Sequence, residues 1–209
     1  MSAMTLLSDD LLRALSLGSL TARHTRTGNP DDTPDAPYVH LTQQTGSTRL
    51  QVCCACGEEF STARARSWPP VPAIADAPTL PAAAVHVFEA AALISHLRPL
   101  ARVGARVILA VNEEQLSLHH ADPAVAGAPA LAVASNYAST HPAPSLDVQD
   151  TSTPAPAELT ISAVVLADLA AAAAARTAIT LTGAGRPDLL TWTCGDHAHG
   201  RLRMNAPAC

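Results

Sequence analysis

The stretch AELTISAVVLADLAAAAAARTAITLTGAGRPDLLTWTCGDHAHGRLRMN, residues Ala157–Asn205, decides how the whole chain reads. It opens on a short alternating segment, Glu158-Leu159-Thr160-Ile161, and continues into an alanine-rich run from Ser162 to Arg176. Alanine loses no side-chain entropy on entering a helix, so Ala170–Ala175 favours one. Ser162 is placed to cap that helix by accepting a backbone N–H, and Val165, Leu166 and Leu169 share one stripe at helical spacing. Beyond it, Ile179 and Leu181 alternate with Thr180 and Thr182, the period of a half-buried strand over Ala178–Thr182. A turn marked by Gly183, Gly185 and Pro187 leads to an apolar run, Leu189–Thr193. A polar turn, Gly195-Asp196-His197, leads to a last segment, Arg201–Met204. The predicted order is strand, helix, strand, strand, strand.

Working outward, the same order recurs upstream. A strand is expected at Ala84–Phe88 and a helix from Glu89 to Arg98, where Pro99 should kink or end it. Strands follow at Arg106–Val111 and Gln115–His119 around the turn Asn112-Glu113-Glu114, with a weaker one at Leu131–Ser135. Nearer the N-terminus, Ser8-Asp9-Asp10 before Leu11, Leu12 and Leu15 reads as a capped helix with acidic groups at its positive end, stopping at Gly18. Thr21–Pro37 is polar and rich in Pro, Gly and Asp, and reads as a loop. Strands are expected at Tyr38–Gln43, Arg49–Cys54 and Glu59–Arg64, with turns at Thr45-Gly46-Ser47 and Gly57. The proline-dense Trp68–Pro81 and the Pro/Ser/Thr-rich Ser139–Pro156 read as extended connections.

Composition narrows the function classes. The chain has 209 residues, 48% of them hydrophobic and 15% charged, which suits a packed core rather than disorder. Alanine supplies much of the apolar share, so a core of small residues is expected. Aromatics are only 3%, which argues against base stacking, and the net charge of −5 gives no global field for phosphates. All 13 basic residues are arginine, so any phosphate contact would be a guanidinium fork. No apolar run reaches the ~18–20 residues that cross a bilayer. Met1–Asp10 has no signal-peptide pattern, so a cytoplasmic location and no membrane partner are expected.

Five cysteines, an odd count, do not suggest a disulfide framework. Cys53, Cys54 and Cys56 with Cys194, His197 and His199 offer zinc-type ligands. Alternation puts Cys54 and Cys56 on the opposite face from Cys53, and free cysteine packs as a small hydrophobe, so the reading favours buried thiols and no metal or cofactor. No nucleophile–base arrangement and no phosphate-cradling glycine loop is present, so no catalytic residue and no enzyme activity is expected.

Three passages carry a resemblance to a known family. "VFEAAALISHLRPLARVGARVILAVNEEQLSLHH" (Val87–His120) is similar to the helix and hairpin of a bacterial DNA sliding clamp, the polymerase III β-subunit type of processivity factor. "ITLTGAGRPDLLTWTCGDHAHGRLRMNAP" (Ile179–Pro207) resembles the clamp C-terminus, and "STRLQVCCACGEEFSTARAR" (Ser47–Arg66) its first hairpin. The resemblance implies an α+β fold of tandem strand-helix-strand-strand-strand units, antiparallel sheets outside and helices inside. Residues 1–145 would hold two units, 5–66 and 83–137, and 146–209 a third that completes a second domain or an oligomer interface.

The resemblance further implies a ring that encircles duplex DNA without reading its sequence and tethers a polymerase or other replication protein. Its DNA-contacting candidates are Arg13, Arg23, Arg26, Arg98, Arg102 and Arg176, and Asp168 is the one mid-helix charge beside them. A partner-peptide pocket would involve Leu202, Met204 and Pro207. Self-association closes the ring. The alternative is a clamp-fold module that binds protein without encircling DNA, and more distantly a zinc-stabilised domain.

Overall fold

A six-residue strand not expected from the sequence opens the chain. β1 (Ser2–Leu7) runs without a break into α1 (Ser8–Gly18) in the computed structural model. The structure describes residues 2–24, 38–44, 47–67, 79–112, 114–121, 131–135, 143–144, 161–173, 177–183 and 188–203. Leu11, Ala14, Leu15 and Leu17 bury one side of α1, and Asp9 and Asp10 occupy its first turn as expected. Ser8 is not the cap. Leu7 holds that position, and Ser8 is fully buried, donating from Oγ (2.7 Å) and from its backbone N–H (3.0 Å) to the Ala105 carbonyl.

The expected loop from Thr21 is helical at its start. α2 (Leu20–His24) buries Leu20, Thr21 and Ala22, and apolar contact outweighs the local polarity. Residues 25–37 of that loop lie outside the described residues. β2 (Tyr38–Gln43), β3 (Arg49–Cys56) and β4 (Glu59–Arg66) follow where alternation placed them, with Gly57 at φ 61° between the last two. Ser61 on β4 locks the helices down: its hydroxyl donates to the Gly18 carbonyl (2.8 Å) and accepts from the Thr21 N–H (3.1 Å).

β5 (Ala83–His86) is shorter than the expected strand, because His86 Nδ1 accepts the Phe88 N–H at 3.3 Å and starts α3 (Val87–Arg102). α3 continues through Pro99 instead of stopping. The proline removes one hydrogen bond in the last turn, to the Ser95 carbonyl, and Ser95 is exposed, so water can satisfy that group. β6 (Arg106–Val111), β7 (Gln115–His120) and β8 (Leu131–Ala134) complete the second set.

α4 (Ala163–Ala172) is shorter than the alanine run suggests. Ser162 sits at its N-cap without a side-chain bond, and Ala173 is already extended. Ile161 is irregular rather than strand. Residues 158–160, 174–176, 68–78, 139–142 and 145–156, which carry the remaining connection and end readings, lie outside the described residues. Val165 and Leu169 are buried, but Leu166 is 43% exposed and does not join their stripe. β9 (Ile179–Gly183), β10 (Leu189–Cys194) and β11 (Ala198–Arg203) end the described chain.

The sheets are antiparallel throughout, one ordered β1-β6-β7-β8 and the other β5-β2-β3-β4-β11-β10-β9. Their pairing is reciprocal. β1 leads into α1 but pairs with β6, the first strand after α3, while β5 leads into α3 but pairs with β2, the first strand after α1. The register is equivalent in the two cases: Leu7, just before its helix, faces Arg106 at the start of β6, and His86 faces Tyr38 at the start of β2. The third set joins differently, last strand to last strand, with Ala63 opposite Ala198 and Phe60 opposite Arg201.

The core lies between helices and sheets. Leucine dominates it, contrary to the expectation of small residues: Leu6, Leu11, Leu15, Leu17, Leu20, Leu41, Leu50, Leu93, Leu97, Leu109 and Leu116 are fully buried with Trp192. Close approach is served by glycine at two positions, Gly18, where a Cβ would lie 2.6 Å from the Val52 carbonyl oxygen, and Gly200, opposite Trp192 on β10.

Candidate functional site

The four helices share the side away from the sheets, and a groove of about 540 Å³ runs between them. α1 contributes Asp9, Leu12, Arg13 and Ser16, α2 contributes Arg23, and α3 contributes Arg98 and Arg102. α4 closes it with Asp168, Ala171 and Ala172. Four of the six arginines singled out in the sequence therefore line one groove. Arg26 and Arg176 lie outside the described residues. Against four guanidinium groups stand two lining carboxylates, so the groove is locally cationic on a chain of negative net charge.

The arginines are not equivalent. Arg13 is held by Asp9 at 2.8 Å and Asp10 at 2.7 Å, an arrangement that follows from their spacing on one helix. Arg23 belongs to α2, not to a loop. Its guanidinium bonds Asp168 Oδ2 at 2.7 Å and donates to the Ser16 carbonyl at 2.6 Å. His24 Nε2 reaches the same Asp168 oxygen at 2.9 Å. Burial pushes the Arg23 pKa down and the charge of Arg98 pushes the same way, while Asp168 opposes both. Arginine stays protonated regardless, so the effect of Arg98 marks two cations sharing one field. Arg98 and Arg102 stand one helical turn apart on α3, both exposed, and make no ion pair among the described residues.

Asp168 reads differently in three dimensions. Its carboxylate spans α4 to α2, satisfied by Arg23 and His24, so it is a tether rather than a free anion in the groove. No local signal could have shown this, since the partners are 145 and 144 residues away.

Sequence reasoning missed a second set of cations. Leu50, Val52 and Cys54 on β3 and Ala63 and Ala65 on β4 belong to the core cluster. Alternation therefore turns Arg49, Arg64 and Arg66, and Arg201 and Arg203 on β11, to the face opposite these core residues, and Arg64 and Arg66 also line a cavity with Asp10 and Arg13 of α1. Arg49 stands directly opposite Arg66. Arg201 lies 5.9 Å over the Phe60 ring, and Arg203 approaches Asp188 at 3.7 Å and Glu59 at 4.0 Å. The signal was present in the parity of β3 and β4.

Of the peptide-pocket candidates, Leu202 is 3% exposed and packs in the core, and Met204 and Pro207 lie outside the described residues. Cys53, Cys54 and Cys194 are buried, and burial raises the thiol pKa to about 11 at Cys53 and about 12 at Cys54. Thiols so hard to ionise are poor metal ligands. Among the described residues no three of His, Cys, Asp and Glu form a group that could hold a metal. No described helix is long and apolar enough to cross a membrane.

No protein-family model matches the sequence, and no curated relative matches it. Solved structures do match. The β subunit of DNA polymerase III from Thermotoga maritima aligns over 99% of this chain at 8% identity and a TM-score of 0.60. The β subunit of the Streptococcus pyogenes DNA polymerase aligns over 99% at 11% identity and a TM-score of 0.57. A sliding clamp from Pseudomonas aeruginosa bound to griselimycin aligns over 99% at 9% identity and a TM-score of 0.55. The chain spans 65%, 66% and 65% of their respective lengths. At such identities the likeness is one of fold: this chain has a divergent sliding-clamp fold.

Proposed function

We propose that a chain with this fold serves as a clamp-like processivity factor, encircling duplex DNA without sequence preference and tethering a polymerase or another replication protein in the cytoplasm. In this reading residues 1–145 form one clamp-like domain from units 5–66 and 83–137, residues 146–209 supply a third unit, and copies associate into a ring. The observation that carries it is the convergence of Arg13, Arg23, Arg98 and Arg102 on one groove of the helix side. Guanidinium groups on a shared face meet successive phosphates without reading bases. Arg98 and Arg102, unpaired within the described residues, are the principal contacts. Arg13 exchanges a carboxylate for a phosphate, and Arg23 does so incompletely while Asp168 holds it. Arg26 and Arg176 extend the same set, Leu202, Met204 and Pro207 mark the partner-peptide region, and the protein has no chemistry of its own.

The experiment is retention on nicked circular DNA. An encircling protein stays on the closed circle and is lost when the circle is linearised; retention unaffected by linearisation contradicts encirclement. A second reading, a protein-binding module of the same fold, is favoured by Arg49, Arg64 and Arg66 on the outer face. It predicts no topological retention at all.

A further inference from the structure

We infer that the sheet face opposite the core, where β3 begins and β4 ends, is a docking strip for an extended acidic peptide of a partner protein, whose alternate carboxylates meet Arg49, Arg64 and Arg66. Strand register builds the strip. Arg49 stands directly opposite Arg66 and Gln51 opposite Arg64, all four on one face. The three arginines are exposed, and none makes an ion pair among the described residues. The other arginines of this sheet are answered: Arg203 has Asp188 at 3.7 Å and Glu59 at 4.0 Å, and Arg201 lies over the Phe60 ring.

Like charges facing each other across a strand pair cost stability, so Arg49 and Arg66 weaken the sheet until an anion lies between them. The field of Arg64 is also unspent. After burial, it is what lowers the pKa of His199 on the neighbouring strand. Two cavities meet at Arg64 and extend the strip. One of about 290 Å³ is lined by Gln44, Ser47, Arg49, Gln51 and Arg64, without a carboxylate. The other, of about 180 Å³, adds Arg66, Arg13 and His197, and its one carboxylate, Asp10, is already held by Arg13 at 2.7 Å.

Spacing and donor chemistry select the occupant. A strand rises about 3.3–3.4 Å per residue, so Arg64 and Arg66 stand about 6.7 Å apart, as do alternate side chains of an extended peptide laid along β4. Guanidinium forks bind carboxylates with paired, charge-assisted hydrogen bonds. Gln51 donates from Nε2 to Thr62 Oγ1 at 3.2 Å, which leaves its Oε1 to accept a peptide N–H; a phosphate backbone has no such donor to give. No Phe, Tyr or Trp lines either cavity, so unpaired nucleic-acid bases would find no platform there. The inference rests on the reading of these arginines as a protein-binding face and does not require encirclement of DNA.

The test is fluorescence anisotropy of the full chain with a labelled peptide alternating glutamate and threonine, beside its glutamine–threonine counterpart and a labelled single-stranded oligonucleotide of equal charge. The glutamate peptide should bind, less tightly as salt rises, and the glutamine peptide should not. Arg64→Gln should weaken binding about two- to fivefold, the range of a solvent-exposed ion pair. The triple variant Arg49→Gln/Arg64→Gln/Arg66→Gln should weaken it about tenfold or more, three such pairs being lost together. Arg106→Gln, an equal loss of charge on an exposed position of the other sheet, should leave it unchanged. Arg49→Gln alone removes the facing like charge, so its thermal midpoint should hold or rise, which separates lost binding from lost folding. No binding of the glutamate peptide, equal binding of the glutamine peptide, indifference to the triple variant, or an oligonucleotide held more tightly by the same arginines overturns the inference. A chain that binds the glutamate peptide yet is not retained on circular DNA refutes the clamp function alone, and a retained chain that ignores the peptide refutes this inference alone.

Discussion

Replacing Asp168 by asparagine should strengthen DNA binding while weakening the fold. The carboxylate holds Arg23 at 2.7 Å and His24 at 2.9 Å, with side chains 34%, 28% and 16% exposed for Asp168, Arg23 and His24. Solvent screens pairs of that exposure, so the loss in stability is about 0.5–1 kcal/mol. In a chain of this size that is a fall of about 1–4 °C in Tm. The groove meanwhile changes from four guanidinium groups against two carboxylates to four against one. If Arg23 then neutralises one more phosphate, the slope of log K against log salt steepens by about 0.9, and affinity at ~0.1 M salt rises about eightfold. Fluorescence anisotropy with a labelled duplex, titrated at several salt concentrations beside a thermal melt, reads both quantities. An Asp168→Asn chain that loses stability while its affinity and salt slope stay unchanged or fall refutes the assignment of Arg23 to a phosphate.

The double variant Arg98→Glu/Arg102→Glu should lower the salt slope by up to about 1.8, two phosphate contacts at about 0.9 each, and leave Tm unchanged; an unaltered slope removes α3 from the interface. Gly18→Ala should destabilise by about 1–3 kcal/mol although alanine is the better helix residue, because the new methyl meets the Val52 backbone carbonyl, which cannot yield as a side chain can. A urea melt of equal or higher midpoint would contradict that packing. Burial first, and Arg64 second, hold the His199 pKa below its ordinary value. The folded state therefore favours neutral His199: this stability is fully present above about pH 6.5 and is lost as the pH falls through the lower folded value. His199→Gln should accordingly lose less stability between pH 7 and pH 5 than the parent chain, and an equal or greater loss would show that His199 is not held neutral.

What the sequence made legible is local. Alternation located β2, β3, β4, β6, β7 and β9, an apolar run located β10, and turn chemistry located joints between them, with Gly57 at positive φ and Asn112 Oδ1 accepting the N–H groups of Glu114 and Gln115. Gly18 ended its helix as read, though the close approach of Val52 also requires a glycine there. The misreadings share one cause, contact at long range. Ser8 looked like a cap because its buried partner, Ala105, is 97 residues away. Thr21 and Ala22 read as loop because the sheet that buries them is distant in sequence. Pro99 reads as a kink or a stop on local grounds, whereas the packed face of α3, with Leu93 and Leu97 fully buried, carries the helix through it. Of the candidate site, the arginines on α1 and α3 followed from their helices, but their convergence and the tether of Asp168 belong to tertiary structure.

The central claim is that duplex DNA lies against the helix side. The most direct measurement is photo-cross-linking from one introduced cysteine at a time, in a chain whose Cys56 and Cys209 are changed to serine and whose remaining cysteines, Cys53, Cys54 and Cys194, are buried. A probe on Ala171→Cys, in the groove, should capture DNA, and one on Gln51→Cys, turned away from the helices beside Arg64, should not. Capture from residue 51, or from neither position, would contradict the account.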